Sequence, residues 1–211
     1  MISRLRRGFL ASLEMTGAMK QQIIFASNNP HKLKEIRAIL PPQFEVAGLQ
    51  DIGFFEDIPE PYPTLEENAL EKARFIYHRF HQNCFADDTG LEVDALDGLP
   101  GVLSARFAGA SKSSEANISK LLDMLDGAEN RKAQFRAVMA LILEGKEYLF
   151  EGIVRGHIAT ETSGAGGFGY DPIFIPEGYQ QTFAVMPDEQ KNRLSHRYEA
   201  LKKMVAFLHS M

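Results

Sequence analysis

The chain has 211 residues and a mass of 23.6 kDa, enough for one large domain with a full hydrophobic core. Hydrophobic residues make up 45% and charged residues 24%, which excludes disorder, collagen and coiled coil for the chain as a whole. A formal charge of −5 excludes a broadly basic protein held on nucleic acid, and the single cysteine, Cys84, excludes a disulfide framework or a Cys-rich zinc site and fits a reducing, cytoplasmic compartment.

The opening residues carry Arg4, Arg6 and Arg7, then a short apolar run broken by Glu14. This run is too short to span a bilayer and does not read as a signal peptide. Residues 1–19 are expected to be a disordered leader or an over-long start, with Met19 able to open the folded part and a single domain over 20–211.

From there the elements alternate. Gln22–Ala26 reads as a strand. Asn28 or Asn29 caps a helix that begins at Pro30, carries Leu33, Ile36, Ile39 and Leu40 as its stripe, and stops at Pro41-Pro42. Phe44–Leu49 reads as a second strand, followed by an acidic, Pro-rich loop to Pro63. Thr64 and Glu67 predict a capping box for a helix bearing Leu65, Ala69, Ala73, Ile76 and Phe80 inward. Cys84–Ala86 and Leu91–Val93 read as short extended runs flanking an Asp87-Asp88-Thr89-Gly90 turn. Ser113 or Ser114 caps a helix with Ile118, Leu121, Leu122 and Leu125, ended by Gly127. Gln134–Leu143 and Tyr148–Val154 predict a hairpin, Thr162–Gly169 a Gly-rich loop, and Ser195 the cap of a last helix with Tyr198, Leu201, Val205 and Leu208 on one side. This order predicts an α/β fold with a mixed sheet.

Charge is unevenly placed along it. Between Glu45 and Glu71 stand eight acids and no Lys, Arg or His, whereas Lys191, Arg193, Arg197, Lys202 and Lys203 face Glu199 alone between 191 and 203. Two solvated helix faces would explain this; so would a metal-holding pole and an anion-holding pole.

Four segments carry potential chemistry. Ser27-Asn28-Asn29-Pro30-His31-Lys32 joins a strand to a helix start, where free N–H groups, the helix dipole and Lys32 suit a phosphate; an ordinary capped helix is the bland alternative, and the Walker pattern is absent. Asp87-Asp88 are carboxylates able to ligate a hard divalent cation or accept a proton from water, or simply residues of a turn. Gly164–Gly169 satisfies G-x-G-x-x-G, but an extended segment follows instead of a helix, so a dinucleotide fold is rejected; Phe168 there either stacks on a base or fills the core. Lys191–Arg197 places cations at an expected helix N-terminus, where they oppose the dipole unless an anion or carbonyl partners them. The histidines show no metal-ligand spacing.

Taken in order, Ile24–Lys32, Glu67-Asn68-Ala69 with Lys72-Ala73, Ala86–Leu91, Pro100–Phe107, Gly167–Pro172 and Lys191–Arg197 resemble the inosine triphosphate pyrophosphatase (Ham1-like) family over about residues 22–208. The resemblance implies an elongated mixed sheet with flanking helices, two lobes with the active-site cleft between them, a homodimer, and Mg²⁺-dependent cleavage of ITP, dITP and XTP to the monophosphate and pyrophosphate. It implies that Ser27, Asn28, Asn29, Pro30, His31 and Lys32 hold the triphosphate. Asp88 is then the general base and a metal ligand, with Glu60 the second metal carboxylate. Thr89 touches substrate, and Phe168, Gly169, Tyr170, Asp171, Lys191, His196 and Arg197 form the base and sugar pocket. His196 and Arg197 are the expected donors to a 6-keto purine. A Maf-like pyrophosphatase for other modified nucleotides and a catalytically silent nucleotide-binding regulator are the rival readings; neither nucleic acid nor membrane is an expected partner.

Overall fold

The computed structural model describes residues 21–210, so the expectation for the opening segment lies outside the described residues. Seven strands form one mixed sheet: β1 Gln21–Phe25, β2 Phe44–Gly48, β3 Cys84–Val93, β4 Pro100–Gly101, β5 Lys132–Leu143, β6 Lys146–Ile158 and β7 Phe174–Pro176. Their order is β2-β1-β3-β5-β6-β7, with β4 on β3. β1 runs parallel to β2 and β3, and the remaining pairings are antiparallel. The helices are α1 Pro30–Ile39, α2 Leu65–Phe80, α3 Ser114–Met124, α4 Asp188–Leu194 and α5 His196–Ser210.

Apolar burial explains the layering. Leu65, Ala69, Ala73 and Ile76 of α2 pack on Ile24, Ala86, Val138 and Ala140 on one face of the sheet. Ile36 of α1 and Ala200, Leu201 and Met204 of α5 cover Ile23, Phe25, Phe85 and Leu141 on the other. A third cluster joins Ile118 and Leu121 of α3, and Leu125 at its C-terminal end, to Leu91, Phe135, Phe174 and Phe183, and builds the second lobe around the far ends of β3, β5 and β6. The fold is thus α/β with a cleft between two lobes.

Four local expectations are corrected. The Asp87–Gly90 segment is no turn: β3 runs unbroken for ten residues, because β5 pairs with every one of them from Cys84 to Val93. Gly90 belongs in that strand for a packing reason, since a Cβ there would meet the Gly101 carbonyl oxygen at 2.7 Å. The hairpin strands extend to 12 and 13 residues and are joined by Glu144-Gly145, both at positive φ (51° and 79°), as a two-residue turn of matching twist requires. Lys191–Arg197 is not one helix start. α4 ends at Leu194, so Lys191 and Arg193 lie in its last turn, where cations suit the dipole. The chain breaks at Ser195, whose Oγ accepts from the Tyr198 N–H at 3.1 Å, and α5 begins with His196 and Arg197. The buried stripe of α5 is accordingly Arg197, Ala200, Leu201 and Met204, with Tyr198 and Val205 only half-buried.

α5 sits unusually close to β6. A Cβ on Gly152 would lie 2.0 Å from the His196 carbonyl oxygen and 2.4 Å from the Ala200 nitrogen. Gly152→Ala must therefore lift α5 from the sheet. We expect a loss of about 1–3 kcal/mol, typical of overpacking, read as a lower Tm and a lower urea midpoint.

Candidate active site

A cavity of about 580 Å³ lies between the lobes. Of the residues singled out for the site, all line it except Pro30, which is exposed at the first position of α1, and Asp87, whose carboxylate is buried behind the cavity between Lys32 and Arg197 and so cannot ligate a metal there as expected. The acidic pole is dispersed instead: Asp51 pairs with Arg37 and Glu66 with Arg136, leaving Glu60 and Asp57 of that run to face the cavity.

The β1–α1 connection forms the floor at one end. Asn29 caps α1, its Oδ1 accepting from the N–H groups of His31 (3.0 Å) and Lys32 (3.3 Å). The expectation of free helix-start donors is therefore corrected, for the cap takes them and Pro30 has none. What this segment offers an anion is the dipole and the Lys32 ammonium. Asn28 does different work: its Nδ2 donates to the Glu56 carbonyl at 2.8 Å and ties this segment to the acidic loop, while its buried Oδ1 has no protein partner.

Alternation along β3 separates the two aspartates. Asp88 faces the α2 side. Its Oδ1 accepts from Lys72 Nζ at 2.9 Å, and the same ammonium donates to Glu60 at 2.5 Å. Arg106 supports Glu60 in turn, with its guanidinium 3.6 Å from the carboxylate. No protein donor among the described residues reaches Asp88 Oδ2. Burial pushes the Asp88 carboxyl above its ordinary value; Lys72 and Lys32 oppose this, and Glu60 adds to it. Burial would raise Glu60, but Lys72, with Lys32 and Arg106, holds it below its ordinary value. Lys72 itself stays firmly protonated despite burial, through Asp88 and Glu60.

Asp87 points to the other side and is fully buried. It accepts from Lys32 Nζ at 2.9 Å, from Arg197 Nε at 3.1 Å and from Thr89 Oγ1 at 3.1 Å. Burial would raise its carboxyl; Lys32 and Arg197 overcome that and hold it well below the carboxylate range. Arg197 is 1% exposed and also donates to Glu35 and to Thr89 Oγ1. The protein thus takes three of its five N–H groups. Lys191 Nζ bridges Glu35 and Asp171, 2.8 Å from each.

Aromatic groups form the other end. Phe168 stacks on His31 with centroids 5.2 Å apart, and Lys191 Nζ lies 4.8 Å from its centroid. Asp171 Oδ2 accepts from the Phe168 N–H at 2.6 Å and so fixes the Gly-rich loop. Gly167 is obligatory there, at φ +72° and with Asp171 Oδ2 only 2.2 Å from where its Cβ would be. Tyr170 is buried and donates to the Ser104 carbonyl. His196 stacks on Phe135 (4.9 Å, 14°), and neither ring nitrogen has a protein partner. Burial, with Arg197 and Lys191 nearby, drives its pKa well below 6.5, so the imidazole is neutral at pH 7.

That shift has a measurable sign. Below pH 6.5 the unfolded state takes up a proton at this histidine and the folded state does not, so stability falls as pH falls. Going from pH 8 to 5.5 should cost about 1.4 kcal/mol through His196 alone. Urea unfolding of wild type and His196→Phe at the two pH values checks it: between them wild type should lose about 1.4 kcal/mol more than the variant.

No role at the cavity was expected of Lys72, Glu35 or Arg106, although Lys72 and Arg106 stand in the motif blocks of the resemblance. The first two left a signal: Lys72 shares the buried face of α2 with Asn68 and Ile76, and Glu35 lies one turn after Lys32, beside buried Ile36. Each is a charge on a stripe that should be apolar. Arg106 ends a short 3₁₀ turn, and its one signal was its place in the Pro100–Phe107 block.

Two carboxylates thus converge on one cation at a strand and an acidic loop, and buried cations with an aromatic face them across a cleft. This is the architecture of an α/β protein built to handle a polyanion with a flat ring. The model of the Ham1 family matches residues 23–207, and the chain belongs to that family. It is 53% identical over 189 residues to the dITP/XTP pyrophosphatase of Porphyromonas gingivalis, covering 89% of this chain and 97% of that protein. It is 46% identical over 194 residues to the enzyme of the same name from Bacillus subtilis, covering 90% and 98%. Among solved structures, the Staphylococcus aureus Ham1 protein superposes with a TM-score of 0.81 at 41% identity, over 90% of this chain and 99% of that one. The HAM1 protein of Coxiella burnetii gives 0.82 at 34%, over 90% and 100%.

Proposed function

We propose that this protein hydrolyses ITP, dITP and XTP to the nucleoside monophosphate and pyrophosphate, clearing non-canonical purines from the nucleotide pool. The observation that carries this is the shared cavity: a desolvated carboxylate, Asp88, and an unpartnered neutral imidazole, His196, line the same space. Family membership supports the same reaction.

In this reading Lys32 and Lys72 meet the phosphates and offset their charge where it develops. Asp88 takes the proton from the attacking water through its free Oδ2, and its raised affinity for protons suits that task. Phe168 stacks on the purine. His196 donates to the ring edge, but a neutral imidazole can donate or accept by changing tautomer and so cannot reject adenine alone. The two remaining Arg197 N–H groups can, because guanidinium has no acceptor to offer an amino group. Asp88 and Glu60 fit a hard divalent ion such as Mg²⁺, which typically takes one or two carboxylates and fills its shell with water and phosphate oxygens. A bound Mg²⁺ would supply charge neutralisation at the phosphates. A homodimer in the cytoplasm completes the reading; light scattering tests the former. No helix among the described residues is long and apolar enough to cross a membrane, and the Cys84 thiol, pushed up to about 12 by burial, is held unreactive.

The test is pyrophosphate release from ITP, dITP, XTP, GTP, ATP, UTP and dTTP with Mg²⁺. Release from the first three at far higher kcat/KM than from the rest is expected. Preference for UTP or dTTP would favour the Maf-like alternative, and tight ITP binding without release would favour a silent regulator.

A further inference from the structure

One line of buried charge joins the two halves of the cleft. Lys32 in the first turn of α1 pairs with Asp87 on β3 (2.9 Å), and Asp87 with Arg197 of α5 (3.1 Å). Arg197 pairs with Glu35, again on α1; Glu35 with Lys191 of α4 (2.8 Å); and Lys191 with Asp171 (2.8 Å). The signs alternate strictly and sum to zero. Lys32 is the most exposed member, its side chain 15% accessible. One end stands at the β1–α1 connection. The other ends on Asp171, whose carboxylate pins the Phe168 N–H.

Stability does not account for such a chain. Buried ion pairs often gain little over apolar residues of the same volume. Each inner member is instead shared between two partners, so a change at one end redistributes pairing toward the other. A polyphosphate that engages Lys32 leaves Asp87 to draw more on Arg197. Arg197 then gives less to Glu35, which draws more on Lys191. Asp171, less held by Lys191, then draws more on the Phe168 N–H, and its grip on the Phe168 loop tightens.

We propose that Glu35 is a positioning residue at the centre of this chain, through which the phosphate half and the nucleobase half of the cleft are coupled, so that filling one tightens the other. This rests on the nucleotide-hydrolase reading above. Linkage requires the effect to be reciprocal.

The experiment titrates full-length protein, in Mg²⁺, with inosine and with inorganic tripolyphosphate by calorimetry, each alone and with the other saturating. In wild type, each ligand should tighten the other by the same factor, about five-fold or more. In Glu35→Gln, which keeps shape and hydrogen bonding but removes the central charge, that factor should fall to within about two-fold of unity while both ligands still bind. A purely structural role would weaken binding or lower Tm without changing the factor. Asp171→Asn, at the end of the chain, should lose the coupling likewise and serves if Glu35→Gln does not fold. No coupling in wild type, or unchanged coupling in either folded variant, overturns the proposal. dITP turnover by the same preparation separates the two readings: turnover without coupling overturns the relay alone, whereas absence of turnover overturns the hydrolase reading.

Discussion

Asp88→Asn should lower kcat for pyrophosphate release on the order of 10²–10⁴-fold, the range of a general base, with nucleotide affinity little changed. The asparagine carbonyl can still accept from Lys72 at the position of Asp88 Oδ1. It carries no charge and cannot take a proton from water. The fold should not suffer, because burial already disfavours the charged form of Asp88; removing that charge relieves a desolvation cost. Steady-state pyrophosphate release, nucleotide calorimetry and a Tm measurement separate these effects. Wild-type turnover in a folded Asp88→Asn protein would remove Asp88 from the base role.

Arg197→Met should have the largest effect on stability. Its side chain is 1% exposed and holds Asp87 and Glu35, themselves 0% and 9% exposed. Methionine fills similar volume but leaves two buried carboxylates short of a partner. Breaking a buried pair from one side costs about 3–5 kcal/mol, and at roughly 2–4 °C per kcal/mol for a chain of this size Tm should fall by roughly 10 °C. The loss should shrink in acid: Asp87 and Glu35 are both held below their ordinary values, so their pairing stabilises the fold above those values and is lost as pH falls through the folded ones. Urea unfolding at pH 7 and pH 3, below the ordinary values of both acids, checks both statements. Wild-type stability in the variant would show that Lys32 and Lys191 suffice for the two acids.

The same residues show what a sequence can carry. Asn29, Thr64 and Ser113 were legible as caps because capping is a contact within three residues: each side-chain oxygen accepts from an N–H two or three positions on. Glu67 answers the Thr64 hydroxyl at 2.7 Å, a small variation on the expected return to the cap's own N–H. Asp87-Asp88-Thr89-Gly90 misled for the opposite reason. Its composition is that of a turn, but β5 pairs alongside it from some fifty residues further on, and local preference yields to a full ladder.

Sequence alone determined most helices, the longer strands and the mixed α/β order, since stripes and caps are written within a few residues of one another, and the motifs in their order named most side chains of the cleft through the family they resemble. Tertiary structure decided what those charges do. Neighbouring Asp87 and Asp88 differ only in which face of β3 they take; one is locked between Lys32 and Arg197, and the other keeps an oxygen free. Glu35 and Lys72 look like misplaced charges on apolar stripes until Arg197, 162 positions from the first, and Asp88, 16 from the second, come within reach. Electrostatic partners are set by distance in space, burial fixes how strongly they act, and neither is written in the spacing of residues along the chain.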